Sequence, residues 1–374
     1  MHIGLFLTYG YSLKDWESQG VLKREIALIE HLVNNFGYKF TIFSYGQELD
    51  LNVIKNENIK VVPLYKKINF SSSKFINYIN SFLLPIKLSK EFNNIDIIHQ
   101  HQLLGSWVSL LCKLIYKKPV YMRTGYDMYY FSVKNKKAFY KKILLKLLTN
   151  LSLKFSDIYT VTSKSDQIFL KHLFKKDYNT KLRPNWAESV LDNTTNRSNK
   201  ILCVGRLEKQ KNFELIINEL KYSNSIFEID LYGSGNYESV LKKSLVGNNL
   251  KINFLGNINY EQLQKIYKKY KIFLTSSLFE GNPKTLLEAM GSGCVVIASD
   301  IPHHRELIND NEDGILFDLN NPKLSELLES ILNNENKANF LSKNAIKKIY
   351  SNNSIFEIAK LTSQDYQSLQ TSVK

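Results

Sequence analysis

The chain has 374 residues and a mass of 43.4 kDa, too long for one ordinary core and comfortable for two domains of roughly 180 residues each. Hydrophobic residues make up 44% and charged residues 23%, ordinary globular values that exclude a wholly disordered or fibrous chain. The net charge of +15 is one-sided: residues 1–185 carry 28 Lys+Arg against 13 Asp+Glu, whereas residues 186–374 carry 22 of each.

In chain order, HIGLFLT (2–8), YKFTIFSY (38–45), IKVVPL (59–64), IDIIHQ (95–100), KPVYMRT (118–124) and DIYTVTS (157–163) read as strands. They are short, continuous and rich in Val, Ile, Phe and Tyr, as strands buried on both faces are. Amphipathic segments at 20–35, 74–92, 104–116 and 136–155 separate them. The pattern then resets, with KILCVG (200–205), FEIDLYG (227–233), KINFLG (251–256), KIFLTSS (271–277), CVVIAS (294–299) and GILF (314–317) as strands between further helical stretches. Alternating β and α predicts parallel sheets covered by helices, an α/β fold. The polar run ESVLDNTTNRSN (188–199) is the expected linker between a domain over 1–187 and a second over 200–350. Residues 353–372, within the tail 351–374, read as a helix of the kind that often returns to the first domain.

A one-sided basic field attracts nucleic acid, an anionic membrane or an acidic substrate. The aromatic-interleaved basic motifs of single-strand binders are missing, so nucleic acid is not an expected partner. No stretch approaches the roughly 18 apolar residues of a membrane span. The start, MHIGLFLTYGYS, lacks the basic region and long apolar core of a signal peptide. Cys112, Cys203 and Cys294 lie far apart with no CxxC spacing, which suggests neither a disulfide framework nor a zinc site. The expectation is a soluble cytoplasmic protein.

In doubly wound sheets ligands bind beyond the carboxyl ends of strands, near helix N-termini. CVGRLEKQKN (203–212) is one such turn. Gly205 lets backbone approach a ligand, and Arg206 and Lys211 beside a helix starting near Asn212 form a receptor for a diphosphate. A solvated turn in a Lys-rich protein fits the same residues. In KIFLTSSLFEGNPKTLLEAMGSGCVVIASD (271–300), Glu280 lies in the loop after a strand. Pro283 suits the first helical position, and Glu288 falls about a turn and a half into the helix. N–H groups around Asn282 to Thr285 present the positive end of the helix dipole. Carboxylates there accept hydrogen bonds from vicinal hydroxyls.

GRLEKQKN (205–212), YGSGNYE (232–238), FLGNI (254–258), FEGNPKTLLEAMGSG (279–293) and DGILF (313–317) together resemble the family 4 retaining glycosyltransferases, closely over most of 200–318 and loosely over 1–185. The resemblance implies the GT-B fold, two Rossmann-like domains facing across a cleft. It implies transfer from a nucleotide sugar, a UDP-sugar over a GDP-sugar, with retention and without metal or other cofactor. Arg206 and Lys211 would hold the diphosphate and stabilise the leaving group. Glu280 would contact donor-sugar hydroxyls and Glu288 the ribose diol. Gly205, Gly281, Asn282, Pro283, Lys284 and Thr285 would enclose sugar and phosphate, and Gly233, Gly235, Asn257 and Ile258 would lie near the base. In this family the leaving phosphate is thought to deprotonate the acceptor on the same face, so the two glutamates position and place charge; they are not the acid and nucleophile of a glycosidase.

Over the first half the match thins. Gly20, opening a helix, is the candidate for a phosphate or acceptor contact. His99 and His101 end a strand where the family often has a histidine, and His101 is taken as the site residue; an ordinary polar strand terminus fits too. The family's later histidine is replaced by MRTGYD (122–127), with Arg123 and Asp127 as candidates. His303 and His304 stand where two glycines are common and are unassigned.

In 136–155, Tyr140, Leu144, Leu147, Leu148 and Leu151 share one helical face and Lys141, Lys142 and Lys146 lie opposite. That helix could lie on an anionic bilayer or cover the domain's own sheet. The expected role is building a surface polysaccharide or lipopolysaccharide on a glycan or lipid-linked acceptor at the inner membrane face. The alternatives are an inactive GT-B subunit that binds nucleotide or glycan and partners another transferase, and a GT-B nucleotide-sugar epimerase.

Overall fold

A computed structural model describes residues 1–188, 197–245 and 250–371. Residues 189–196, the larger part of the segment read as a linker, lie outside it. The chain divides into two compact units, Met1–Pro184 with Ile358–Lys374, and Asn185–Glu357. Each is an α/β unit built on one sheet.

The first unit is built on seven parallel strands: β1 (His2–Phe6), β2 (Lys39–Ser44), β3 (Ile59–Pro63), β4 (Ile97–His101), β5 (Val120–Arg123), β6 (Ile158–Val161) and β7 (Thr180–Leu182). Their order is β3-β2-β1-β4-β5-β6-β7. The first six are the apolar runs of the sequence. β7, Thr-Lys-Leu at the sheet edge, has no apolar run and was not expected.

The second unit has six parallel strands: β8 (Ser198–Val204), β9 (Glu228–Tyr232), β10 (Lys251–Gly256), β11 (Tyr270–Thr275), β12 (Val295–Ser299) and β13 (Ile315–Phe317), in the order β10-β9-β8-β11-β12-β13. Successive side chains point to opposite faces. Ile201 and Cys203 enter one core with Leu231 and Ile272, while Leu202 and Val204 enter the other with Phe273 and Val296. In each unit the strand order reverses beside the first strand, between β1 and β4 and between β8 and β11, which opens a crevice at their carboxyl ends.

Of the last helix, Ile355–Thr371, residues from Ile358 onward belong to the first unit. The buried Asp365 carboxylate accepts from Arg183 Nε and Nη2, each at 2.7 Å, and from Lys181 Nζ at 2.8 Å. Tyr366 Oη lies 2.6 Å from His99 Nδ1, and Tyr38 Oη 2.7 Å from Ser363 Oγ. The fork of Arg183 on one carboxylate is the strongest of these anchors.

One helical segment differs from the sequence pattern, and another settles an alternative that it left open. The stretch 74–92 is three short helices, Lys74–Ser81, Leu84–Lys87 and Ser89–Phe92. Pro85 has no N–H to donate and suits only a first turn, so the chain restarts there. The segment 136–155 forms the helix Phe139–Phe155, and of the two orientations open to it the stripe faces outward: Tyr140, Leu144, Leu147 and Leu151 are exposed, and Thr149, Ser152 and Leu153 are buried. Thr149 donates its hydroxyl to Leu145 O and Ser152 donates to Ser106 Oγ at 3.0 Å. Small side chains with satisfied hydroxyls allow close helix packing, so Thr149 and Ser152 turn inward beside Leu153. The apolar stripe does not cover the unit's own sheet, and the side opposite it is packed instead of presenting a row of lysines; Lys141 and Lys146 are exposed on its flanks. Among the described residues no helix is long and apolar enough to cross a membrane.

Candidate active site

In the second unit the site forms where β8 and β11 lie side by side. Lys211 ends a short 3-10 turn after β8, and Glu280 lies in the loop after β11. Lys211 Nζ meets Glu280 Oε1 at 2.6 Å, both side chains largely buried. The two loops are knitted: Leu278 N donates to Gln210 O at 2.9 Å, Gln210 Nε2 to Phe279 O at 2.8 Å, and Ser276 Oγ to Lys211 O at 3.0 Å. Burial pulls the Glu280 carboxyl pKa upward, but the charge and hydrogen bond of Lys211, with Ser277 and His304, hold it below the usual value. The result is a buried ion pair at the switch point; Arg206, in the same turn after β8, is exposed and 3.1 Å from Glu208.

Glycines let the loops close on one another. A Cβ on Gly205 would lie 3.2 Å from Lys211 Cε, so the lysine stem passes over bare backbone. A Cβ on Gly235 would lie 2.3 Å from Leu207 O. Asn257 is exposed after β10, and Ile258 packs onto the core.

The loop before the helix Lys284–Gly291 is engaged in ways the sequence did not show. Asn282 Oδ1 accepts from Asn185 N at 2.9 Å, and its carbonyl accepts from Asn185 Nδ2 at 2.7 Å. Lys284 Nζ sits 4.7 Å from the centre of the Trp186 ring, a cation–π contact. Pro283 is the N-cap, one residue outside the helix and not its first residue. Gly281 is buried and Thr285 half-buried. Glu288 is only 1% exposed, and Tyr267 donates its hydroxyl to Glu288 Oε2 at 3.2 Å.

His304 joins this cluster. Its ring is fully buried, and Nδ1 lies 2.7 Å from Ser299 O. Nδ1 therefore carries the proton and Nε2 is a bare acceptor, which among the described residues has no hydrogen-bond partner. Burial pushes its pKa down to about 4, although Glu280 opposes this, so the ring is neutral at pH 7.

In the first unit, β4 and β5 end together, with His101 opposite Arg123 in register. His101 Nδ1 lies 3.4 Å from Thr8 Oγ1 and Nε2 3.8 Å from Glu25 Oε2, with the Trp16 ring edge-on. Gly20, at φ +69°, makes the turn before the helix Leu22–Phe36, whose first turn carries Glu25. Glu25 was not anticipated. Arg123 is buried. His99 is buried behind His101 and held by Tyr366.

Asp127 caps the helix Met128–Lys134, accepting from Tyr130 N. Burial, with Asp166 nearby, outweighs the Tyr130 and Tyr129 N–H groups and pushes its carboxyl up to about 7. A carboxyl raised on folding contributes stability that is full below its unfolded pKa and is lost as pH rises through the folded value. Asp127→Asn keeps a good cap without the charge. Urea unfolding is expected to show the variant more stable than the parent at pH 8, with the gap closing by pH 4. Parallel pH curves would mean that Asp127 is not the group responsible.

Two doubly wound units, one with a cation–carboxylate pair at its switch point, are the arrangement of the GT-B fold. The model for glycosyl transferases group 1 matches residues 189–348 and that for glycosyl transferase 4-like matches residues 27–166. The chain belongs to the group 1, family 4 type glycosyltransferases. It is 24% identical over 324 residues, 84% of this chain and 85% of the other, to a Campylobacter jejuni GalNAc-α-(1→4)-GalNAc-α-(1→3)-diNAcBac-PP-undecaprenol α-1,4-N-acetyl-D-galactosaminyltransferase. Among solved structures it is similar to sucrose-phosphate synthase from Thermosynechococcus elongatus, with a TM-score of 0.81 at 18% identity covering 100% of both chains. Anabaena HepE in complex with UDP gives a TM-score of 0.75 at 14% identity, covering 98% of this chain and 100% of the other.

Proposed function

We propose that the protein is a retaining glycosyltransferase that moves a hexosyl group from a nucleotide sugar, a UDP-sugar over a GDP-sugar, to a glycan or lipid-linked acceptor in surface polysaccharide or lipopolysaccharide synthesis. It works without metal, at the cytoplasmic face of the membrane, with residues 136–155 meeting the lipid. The observation that carries this reading is the Lys211–Glu280 pair at the β8/β11 switch point. A diphosphate there faces Lys211 and Arg206, which neutralise the charge that develops as the nucleoside diphosphate leaves. Glu280 accepts from donor-sugar hydroxyls. Glu288, which also accepts from Tyr267, takes the ribose diol. Asn257, Ile258, Gly233 and Gly235 border the base. The leaving phosphate takes the acceptor proton on the same sugar face, and His101, Arg123 and Gly20 serve the acceptor. The name of the Campylobacter relative, a transferase acting on a diphospho-undecaprenol glycan, supports a lipid-linked acceptor.

Thermal unfolding with UDP, GDP, ADP and their sugars tests the reading. A ligand at about 100 times its Kd stabilises by roughly 2.7 kcal/mol. The expected result is a melting shift with the UDP series, unchanged by EDTA and weakened in Glu288→Gln. No shift with any nucleotide in folded protein would favour the inactive subunit. Interconversion of the sugar without acceptor would make it an epimerase.

A further inference from the structure

The exposed side of the helix Phe139–Phe155 is one part of a larger face. The helix Ser106–Tyr116 lies against it, through Ser152 Oγ to Ser106 Oγ at 3.0 Å and Lys113 Nζ to Phe155 O at 2.9 Å. On its other side Trp107 Nε1 donates to Ser81 Oγ at 2.9 Å and Tyr116 Oη donates to Pro85 O. The short helices Lys74–Ser81 and Leu84–Lys87, the helix Ser106–Tyr116 and the helix Phe139–Phe155 thus form one layer of the first unit. Each displays large apolar side chains to solvent: Phe75 is 72% exposed, Ile86 66%, Leu114 71%, Tyr140 67%, and Leu144 and Leu147 55% each. Single exposed apolar residues are ordinary, but a patch crossing neighbouring helices marks an interaction surface.

Charge selects the occupant. Residues 66–156, which contain the whole layer, hold 16 Lys+Arg and only three Asp+Glu, nearly all of the chain's excess. Acids offset only a small part of it: Glu91 pairs with Lys67 and Glu48 with Lys66, Asp127 is buried, and Asp96 accepts from the His2 backbone. Lys113 pairs with Asp157 at 2.6 Å just outside this range. A second copy would oppose two strongly cationic faces. Apolar side chains that enter the boundary between headgroup and acyl chain, with lysines reaching phosphates around them, are what an anionic bilayer accepts.

We propose that this helical layer docks on an anionic lipid bilayer as a unit, not through residues 136–155 alone. The inference names the partner and extent of the membrane contact in the proposed function and rests on that contact, not on the transfer chemistry. Flotation of the full chain with phosphatidylcholine vesicles, with and without phosphatidylglycerol, tests it. Wild type is expected to float with the anionic vesicles and to be partly released by salt. Leu144→Ser with Leu147→Ser, and separately Phe75→Ser with Ile86→Ser, are each expected to weaken binding roughly tenfold at fixed salt. Lys141→Glu with Lys146→Glu is expected to weaken it at least tenfold and flatten the salt response. All these positions are exposed, and an unchanged melting temperature shows that the variants are folded. Equal flotation with neutral vesicles, none with either, or indifference to the Phe75/Ile86 pair would each overturn the proposal, as would a dimer that the Leu144/Leu147 variant dissolves. Flotation without any nucleotide response would sink the transferase reading and leave the docking surface standing.

Discussion

Lys211→Ala is expected to lower kcat/KM for sugar transfer by about 10²–10³, the cost of removing one preorganised group that meets charge in the transition state. In the proposed transfer charge develops on the departing diphosphate, and Lys211 is the cation fixed at the switch point, its ammonium 2.6 Å from Glu280. Arg206 is exposed and held by Glu208, so it is the weaker substitute. The variant also leaves Glu280 buried without its cation, and breaking such a pair costs about 3–5 kcal/mol. The two effects separate by pH. In the parent the lowered Glu280 pKa contributes stability that is present above the usual carboxylate range and is lost as pH falls through the lowered value. In Lys211→Ala burial is opposed only by Ser277 and His304, the carboxyl is expected to rise, and the variant instead gains stability as pH falls. Lys211→Met with Glu280→Gln removes both charges and is expected to melt near the parent while transferring no sugar. A double variant that is stable and also active within a few fold of the parent would reduce the pair to a structural strut. Steady-state transfer assays with unfolding curves between pH 4 and 8 decide it.

The alternation of apolar runs located twelve of the thirteen strands because each carries its own apolar signal, even the partly exposed edge strand β10. β7 had none, being three residues at an edge. The candidate site was legible as two separate turns, and their meeting was not. Lys211 and Glu280 are 69 residues apart, and only the order β9-β8-β11 brings their loops together. The same holds for Asn185 on Asn282, Trp186 under Lys284, and Glu25 at His101, where no local spacing announces a partner. His304 looked like a departure from a pattern, and its meaning lies in a buried, bare Nε2 beside a charged pair. The helix Phe139–Phe155 was legible as an element, but whether its stripe covers the sheet or faces outward was not. Periodicity at 3.6 residues finds an apolar stripe but says nothing of which way it faces, and here Thr149 and Ser152 pack inward.

Gly233→Ala is expected to cost about 4 kcal/mol or more and to abolish the nucleotide response, because its collision is with backbone and not with a side chain that could move. A Cβ at Gly233 would stand 1.9 Å from Gly205 O and 2.9 Å from its carbonyl carbon, at a φ of +137°. Relief requires the turn after β9 to withdraw from the turn after β8. That turn is held by Gly233 N to Gly256 O at 2.8 Å, Gly205 N to Tyr232 O at 3.0 Å and Leu207 N to Ser234 O at 2.9 Å. Withdrawal therefore disturbs Gly205, Arg206 and the start of the segment that carries Lys211. Gly256→Ala separates collision from strain. Gly256 has a φ of +67°, but a Cβ there meets nothing within 4 Å, so its cost is the backbone preference alone, about 1–2 kcal/mol. For a domain of this size the two variants should melt about 10 °C and about 4 °C below the parent, respectively. Calorimetry with and without UDP checks both numbers. Equal losses for the two glycines would show that the turns after β8 and β9 yield to one another, and that the close approach of Gly233 to Gly205 does not hold the diphosphate turn in place.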